Sequence, residues 1–463
     1  MLLFLLIALG TGWSQSNGGE PSGDSDAQSP MPQVGSEPDS ASQMVEPSLI
    51  PDLDQPSIET PPAPSRSYLL AGVEVSEGAE SNPSLISGPS SQVSSVTNLV
   101  GSLSLLKLQR RFKTAINYIG GDTLYSSYGS LKLYNQPVQQ LTADEHFLWS
   151  RGQLSLNDSF YYIGEGKFAS SSFGGSGAGT PPSAGESDFF GASQLGGVVQ
   201  QAYIINASIA TLTEALTPRS SAFLAGAYSI ADYLGSGGED LFNSRQVSIQ
   251  AGYNYQLTRR DQIGVAYGYQ TFEYPQNDVG KVVANSLQFV YQRRVTGCMD
   301  LELGGGPELT NLSGGVSGKS QQITATVQAS LRYRWEKSSL NVSYNRLVTA
   351  GSGYFAGGIS DIATLSTDRK ISRSWGVTLD GGYTRVSGIG LTSSEIPGNA
   401  YQYWFAGAAV QRRLGRSLSA FATYQFNDQN FGSCGSSKGC SPAAYAQVVS
   451  IGLDWSIRPV RLE

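Results

Sequence analysis

Alternation of apolar with small or polar residues dominates much of this chain. In the stretch 245–270, two alternating runs are joined by the short basic segment "TRRD". The first run places Val247 and Ile249 on one parity, and Ser248 and Gln250 on the other. A period of two over ten or more residues predicts extended strands with one apolar face and one polar face.

The same hairpin unit recurs along the chain in altered form. Eight short joints separate paired runs, and each joint carries or adjoins a basic residue; they lie at 110–111, 150–152, 217–220, 258–261, 295–297, 336–338, 372–374 and 415–417. Longer stretches rich in Gly, Ser, Pro, Asn and Asp lie between the hairpins. Strict alternation of short and long connections predicts an antiparallel up-and-down transmembrane β-barrel with periplasmic turns and larger outer loops.

The joints also predict the number of strands. Eight short turns join sixteen strands, and a further strand is predicted at Tyr445–Ile457. Bacterial barrels of one chain have an even number of strands, so we assign an ascending first strand to Ser67–Ser76 and the first outer loop to 77–92. The prediction is eighteen strands, or sixteen if two weak hairpin arms are misassigned. Val198–Leu216 is also compatible with a buried helix, but its second half is assigned to a strand.

Alternation alone does not distinguish a lipid-facing barrel from a soluble sandwich. Aromatic residues near turns and strand ends, such as Tyr253, Trp335 and Trp375, favour the barrel because their rings suit membrane interfaces. An eighteen-strand ring is too wide for side chains to fill, so its inner face should meet water. The polar parity supplies the predicted lumen-lining residues, which are Gln250, Asn254, Asp300, Glu302, Gln328, Arg332, Arg334, Asp380 and Asp454.

The N-terminal region has a different composition. Residues 1–13 contain a short apolar run that predicts a signal peptide and hence export to the outer membrane. Residues 14–66 are acidic, rich in Pro and Ser and poor in aromatics, so we expect a disordered linker before a barrel at 67–463. The formal charge of −7 is uneven, because residues 1–106 hold 12 acids and one base. The linker is either a tether for a periplasmic partner or a passive spacer.

Few residues suggest covalent chemistry or metal binding. His146 is the single histidine, and no metal-binding helix motif or phosphate-binding loop occurs, so we predict no enzyme, cofactor or metal. The basic residues are dispersed, which argues against nucleic-acid binding. Cys434 and Cys440 bracket a Gly/Ser loop and are a disulfide candidate, with a metal pair as the alternative.

Several segments resemble a known family. "GVEVSEGAESN", "LGGGPELT", "GSGYFAG", "YQYWFAGAAVQRRLG" and the closing "SIGLDW" resemble outer-membrane β-barrel proteins of Acidobacteria. The first strand with its acidic motif is also similar to barrel porins linked to exopolysaccharide gene clusters. The resemblance covers about residues 67–463. It implies a barrel in the outer membrane and assigns no substrate or catalytic residue.

Two functions remain open at this point. The first is a porin-like channel for small solutes or saccharides, with selectivity from the lumen charges and from the long Gly-rich loop 164–197 folding inward. The second is a barrel that exports exopolysaccharide or binds it at the surface, without general pore activity. The expected partners are outer-membrane lipid, the solutes and any periplasmic protein bound by the linker.

Overall fold

The structure is a computed structural model, and it describes residues 67–81, 93–127, 133–164, 202–234, 241–275, 280–313, 320–351, 353, 355–389, 400–430 and 443–462. These residues form an all-β protein. The strands are β1 (Tyr68–Ser81), β2 (Val93–Leu108), β3 (Phe112–Ser127), β4 (Leu133–Trp149), β5 (Gly152–Ile163), β6 (Tyr203–Thr217), β7 (Ser220–Tyr233), β8 (Ser244–Gln256), β9 (Asp261–Glu273), β10 (Lys281–Thr296), β11 (Met299–Ser313), β12 (Ser320–Arg334), β13 (Ser338–Thr349), β14 (Gly358–Lys370), β15 (Trp375–Gly388), β16 (Ala400–Arg413), β17 (Leu418–Asn430), β18 (Ala443–Ser456) and the two-residue β19 (Val460–Arg461).

Eighteen of these strands close into one antiparallel barrel. Each strand pairs with its sequence neighbours, and β1 closes the ring by pairing with both β2 and β18. Val75, for example, lies opposite Leu99 on one side and Leu453 on the other. The short β19 pairs with the start of β1. The predicted eighteen-strand barrel is therefore confirmed.

The connections follow the predicted alternation of short and long. Short turns join β2 to β3 and each later even-numbered strand to its successor, up to β16 and β17. Two strand assignments change. The first strand continues to Ser81, so Glu77–Ser81 are strand residues and not part of the first outer loop. The ambiguous stretch 198–216 contains β6 from Tyr203 onward, paired with β5 and β7, and is not a helix over its described part.

The two faces of the wall differ in polarity in the direction expected for a barrel in a membrane. Val247 and Ile249 on β8 are 41% and 51% exposed, whereas Ser248 and Gln250 between them are each 1% exposed. The same alternation holds around the ring, so large apolar side chains point outward and polar side chains point inward. The apolar parity of the 245–270 hairpin thus lies on the outside of the ring.

Polar groups also occur on the outer face, and one set of them lies on β5 and β6. Asp158 on β5 has the outward parity, and it accepts hydrogen bonds from Asn206 Nδ2 at 3.2 Å and Ser208 Oγ at 2.5 Å. These three side chains satisfy one another across the β5–β6 pair, which lowers the cost of placing them on an apolar face.

Three predicted features lie outside the described residues. They are the signal peptide with its linker (1–66), all but the first residue of the long Gly-rich loop 164–197, and the disulfide candidate Cys434 and Cys440. Cys298, in the turn between β10 and β11, is exposed and free. None of the described segments forms a helix long and apolar enough to cross a membrane.

Candidate functional site: the lumen and its constriction

The predicted lumen residues all fall on the inward parity of their strands. Five of them lie together on β11 and β12, where Asp300 is the cross-strand partner of Arg332, and Gln328 lies near Glu302. Gln250 and Asn254 lie on β8 and are 1% and 4% exposed. The structure places the other two elsewhere on the wall, Asp380 on β15 and Asp454 on β18.

A group of ion pairs lies at the short-turn end of β10–β12. Asp300 Oδ1 is 3.4 Å from Arg294 Nε, and Asp300 Oδ2 is 3.7 Å from Arg334 Nη2. Arg294 was not among the predicted residues, although it shares their parity. Both pairs are half exposed, so each contributes a few tenths of a kcal/mol up to about 1 kcal/mol, and their main effect is on the local potential.

Further from the short turns the inward charge becomes negative. Inward-facing bases on the described strands lie near the short turns, at Lys113, Arg294, Arg332, Arg334, Lys370 and Arg413. The inward charged residues of the described strands farther from the turns are carboxylic acids, at Glu74, Glu80, Asp144, Glu308 and Asp380. The described part of the lumen therefore has a basic mouth at the short-turn end and an acidic interior.

The described part of the connection between β13 and β14 folds into the lumen. We call the described residues of 347–359, which are all but 352 and 354, the inward tip. Val348 and Phe355 are 1% and 0% exposed, and Phe242 N donates to the carbonyl of Gly353 at 2.7 Å. Tyr274 Oη donates to the carbonyl of Ala350 at 3.1 Å. These bonds attach the tip to the connection before β8 and to the end of β9.

Glycine makes the sharp turns of the inward tip possible. Gly351, Gly353 and Gly357 have φ values of 93°, 82° and 87°, a region that L side chains rarely adopt. A Cβ on Gly353 would also lie 2.4 Å from Cζ of Tyr233. The tip therefore requires glycine at position 353 for its backbone conformation and for its contact with β7.

Aromatic side chains fill the lumen around the tip. We call this group the aromatic constriction; its members are Tyr161, Tyr203, Tyr233, Phe355, Tyr401, Tyr403 and Phe405. Phe355 is stacked on Tyr401 with ring centroids 6.3 Å apart, and Tyr203 lies 5.9 Å from Tyr233. Because Gly353 packs against Tyr233, contacts cross the lumen from β6–β7 through the tip to β16.

A chain of polar side chains supports the tip from the wall. Gln246 Nε2 donates to Gln270 Oε1 at 3.3 Å, and Gln270 Nε2 donates to Glu308 Oε1 at 3.4 Å. Oε2 of Glu308 accepts from the backbone N–H of Val348 at 3.3 Å. Nearby, Gln250 Nε2 and Ser286 Oγ are buried without a hydrogen-bond partner among the described residues. This sector of the inner wall is therefore rich in amide and hydroxyl groups.

This constriction was not predicted from the sequence. The predicted obstruction was the loop 164–197, of which all but the first residue lies outside the described ranges, whereas the described obstruction is the β13–β14 connection. The available signal was the segment "GSGYFAG" at 351–357, in which glycines alternate with aromatic and small residues in an outer loop. The role of Glu308 was also not predicted. It lies on the polar parity of its strand like many other polar residues, and its neighbours in sequence do not indicate that it binds the backbone of Val348.

The lumen offers recognition by hydrogen bonds and aromatic rings. No group of three or more His, Cys, Asp or Glu side chains within the described ranges is arranged to hold a metal ion. Tyrosine rings beside amides and hydroxyls suit the binding of a small polar solute, because pockets of this kind combine aromatic walls with a few polar groups.

Comparisons with known proteins leave the family open. No protein-family model matches the chain, and no curated protein matches it. Similar solved structures include OpdQ of Pseudomonas aeruginosa, with 9% identity, a TM-score of 0.39 and coverage of 85% of this chain and 99% of that chain. OccAB4 of Acinetobacter baumannii has 6% identity, a TM-score of 0.42 and coverage of 87% and 100%. The barrel assignment rests on the closed strand register and not on these similarities.

Proposed function

We propose that this protein is an exported outer-membrane channel for small polar solutes, saccharides among them. The observation that carries the proposal is the closed ring with apolar residues outside and polar residues inside. In water such an outer face would expose large apolar side chains around the whole ring, whereas in a bilayer it contacts lipid. A lumen lined by polar side chains then provides a path for solutes, without covalent chemistry.

The solute class is inferred from the described region where side-chain contacts cross the lumen. The aromatic constriction presents five tyrosines, and the adjacent wall presents Gln246, Gln250, Gln270 and Ser286. Neutral polyhydroxylated molecules suit such a surface, because their hydroxyl groups bond with amides and their apolar faces contact aromatic rings. The acidic interior additionally favours cations over anions.

Ion selectivity tests the proposal. We expect ohmic conductance in planar bilayers with a preference for potassium over chloride. In the double variant Arg332→Gln/Arg334→Gln the preference for potassium should increase, because two positive charges leave the periplasmic mouth while Asp300 remains. Arg412→Gln is the matched control, since Arg412 lies at the same end of the barrel on the outward face, 5.2 Å from the ring centre of Trp375. Absence of conductance from folded protein would overturn the proposal.

The alternative is a saccharide-binding barrel without general pore activity, linked to exopolysaccharide export. The observation that favours it is the contact between opposite walls through Phe355, which narrows the lumen. Two findings would favour it over an open channel. One is saccharide binding by a folded barrel that does not conduct, and the other is co-purification of a periplasmic export protein that depends on residues 14–66.

A further inference from the structure

A groove runs along β9 on the outer face of the barrel, near the short-turn end. Two short β-branched side chains of β9 lie there between aromatic side chains of β8 and β10. The cross-strand rows are Tyr255, Ile263 and Tyr291, followed by Tyr253, Val265 and Phe289. Because the branched side chains extend less far from the wall than the rings, a depression of about 570 Å³ forms between two aromatic ridges. We call this depression the β9 groove.

The β9 groove is open to the outside and is not filled by the protein. Ile263 and Val265 are 41% and 37% exposed, and Phe289 is 59% exposed. Leu303 on β11 completes the lining, and the outward-facing Gly305 opposite Phe289 leaves space beside its ring. The lining consists of aliphatic side chains and aromatic rings, so an apolar chain suits the groove better than a polar solute does.

The length of the groove matches one leaflet of a bilayer. It begins at Asp261, next to the short turn, and Tyr267 is the first outward residue of β9 beyond Val265. Six residues of strand extend about 20 Å, or about 14 Å along the membrane normal for a strand tilted by about 45°. Half of a hydrocarbon core is about 15 Å thick. One acyl chain of a single leaflet therefore fits along β9.

Positive charge collects at the short-turn end of the groove. Arg259 and Arg260 lie in the turn between β8 and β9, and Arg293 lies on the outward face of β10, two residues beyond Tyr291. Arg293 Nε is 3.7 Å from Asp261 Oδ1, and no carboxylate in the described ranges forms an ion pair with Arg259 or Arg260. Three arginines and one aspartate give this end a net charge of +2.

Asp261 connects the charged turn to the groove. Its Oδ1 accepts a hydrogen bond from Tyr291 Oη at 2.8 Å, and its Oδ2 accepts one from Thr258 Oγ1 at 2.6 Å. The side chain of Arg293 lies beside them and is 53% exposed, so its guanidinium is accessible to an anion. Guanidinium groups match the geometry of phosphate oxygens. Phosphate-binding groups thus lie where the headgroup would be when an acyl chain occupies the groove.

We propose that the β9 groove is a binding site for one anionic phospholipid of the leaflet at the short-turn end. One acyl chain lies along β9 between the aromatic ridges, and the phosphate lies beside Arg260 and Arg293. Apolar contacts hold the chain, and the net positive charge selects an anionic headgroup over a zwitterionic one. The site goes beyond the proposed channel function, because it requires only that the outer face contacts a bilayer and not that the barrel conducts.

Native mass spectrometry of the full chain in detergent tests the site, because it resolves barrels that carry no lipid, one lipid or more. The probes are phosphatidylglycerol and phosphatidylethanolamine with identical acyl chains. We expect the first phosphatidylglycerol to bind about fivefold more tightly than phosphatidylethanolamine. Arg260→Gln/Arg293→Gln should abolish this preference. Arg369→Gln/Arg412→Gln is the matched control and should retain it, since it removes two outward arginines at the same end of β14 and β16.

Asp261→Asn should change the affinity in the opposite direction. It keeps a side-chain oxygen near Tyr291 and Thr258 and removes the negative charge beside Arg293. Phosphatidylglycerol should then bind about twofold to fivefold more tightly, with phosphatidylethanolamine unchanged. Local misfolding would not produce tighter binding, so this variant separates the effect of charge from a structural effect.

A variant that fills the groove tests the position of the acyl chain. Val265→Trp places an apolar ring between the two aromatic ridges and should weaken the binding of both lipids about threefold or more. Leu379→Trp is the control, because Leu379 is also outward-facing and 47% exposed on the distant β15. Equal affinity for the two lipids in the native chain, or equal effects in groove and control variants, would indicate surrounding bilayer lipid only and overturn the site. Conductance, which tests the channel, is measured separately.

Discussion

The backbone N–H of Val348 donates a hydrogen bond to Oε2 of Glu308, with the nitrogen and oxygen 3.3 Å apart. The other carboxylate oxygen of Glu308 accepts from Gln270. One acid of the inner wall therefore replaces the strand partner that Val348 would have had on β12. This replacement connects the inward tip to β9 and β11, and so helps to hold the constriction in place.

Removing the Glu308 carboxylate should loosen the inward tip. In Glu308→Ala, the N–H of Val348 and the amide of Gln270 lose their acceptor inside a buried site. We expect the free energy of unfolding in urea to fall by about 2 kcal/mol, and the single-channel conductance to rise. Glu302→Ala is the control, because Glu302 lies on the same face of β11 and accepts from Gln328 instead. Equal conductance in both variants would contradict this role of Glu308.

A side chain at position 353 should displace the tip. Gly353→Ala requires a left-handed conformation, which costs an L-residue about 1–2 kcal/mol, and its Cβ would contact the ring of Tyr233. We expect a lower thermal midpoint and a larger conductance. Gly297→Ala is the matched control, since a Cβ there meets no atom within 4 Å. An unchanged conductance in Gly353→Ala would show that the tip does not limit the pore.

The wall itself was predictable from the sequence because its determinants are local. Val247 and Ser248 were assigned to opposite faces from a period of two, and their exposures of 41% and 1% agree with that assignment. The strand number followed from the short basic turns and the rule of even strand numbers. Neither inference needs knowledge of contacts between distant parts of the chain.

The constriction and the end of the β12–β13 pairing were not predictable in this way. Residues 322–326 continue the alternation of β12 up to Val327, so nothing local marks the end of its pairing with β13 there. Phe355 reads as an ordinary loop residue until its stacking on Tyr401 is known. Both features depend on contacts between segments that are far apart in sequence, and the period of a strand carries no information about them.

Engineered disulfides should detect where the pairing between β12 and β13 ends. Leu331 and Val342 are cross-strand partners, so Leu331→Cys/Val342→Cys should crosslink under mild oxidation. Ala325→Cys/Val348→Cys would be opposite each other if the ladder continued, and we expect it to stay reduced. The background replaces the three native cysteines by serine, and thiol titration reports the crosslink. Equal crosslinking in both pairs would indicate a continuous wall.

Accessible cysteines should report the orientation of the barrel. We expect Thr258→Cys, in the turn between β8 and β9, to react with an impermeant maleimide only after the outer membrane is opened. Pro275→Cys, exposed in the connection between β9 and β10, should react in intact cells. The same cysteine-free background serves both variants. The opposite labelling order would reverse the assignment of periplasmic and outer ends.

Single-channel recording of the purified full chain shows whether the ring is a membrane channel narrowed by the inward tip. We predict discrete ohmic steps for the native chain and larger steps for Phe355→Ala, which removes the ring that bridges the lumen. Phe289→Ala should match the native chain, because Phe289 is on the outer face and 59% exposed. Barrel protein that is folded by heat-modifiable migration but gives no steps, in either the native chain or Phe355→Ala, would contradict the account.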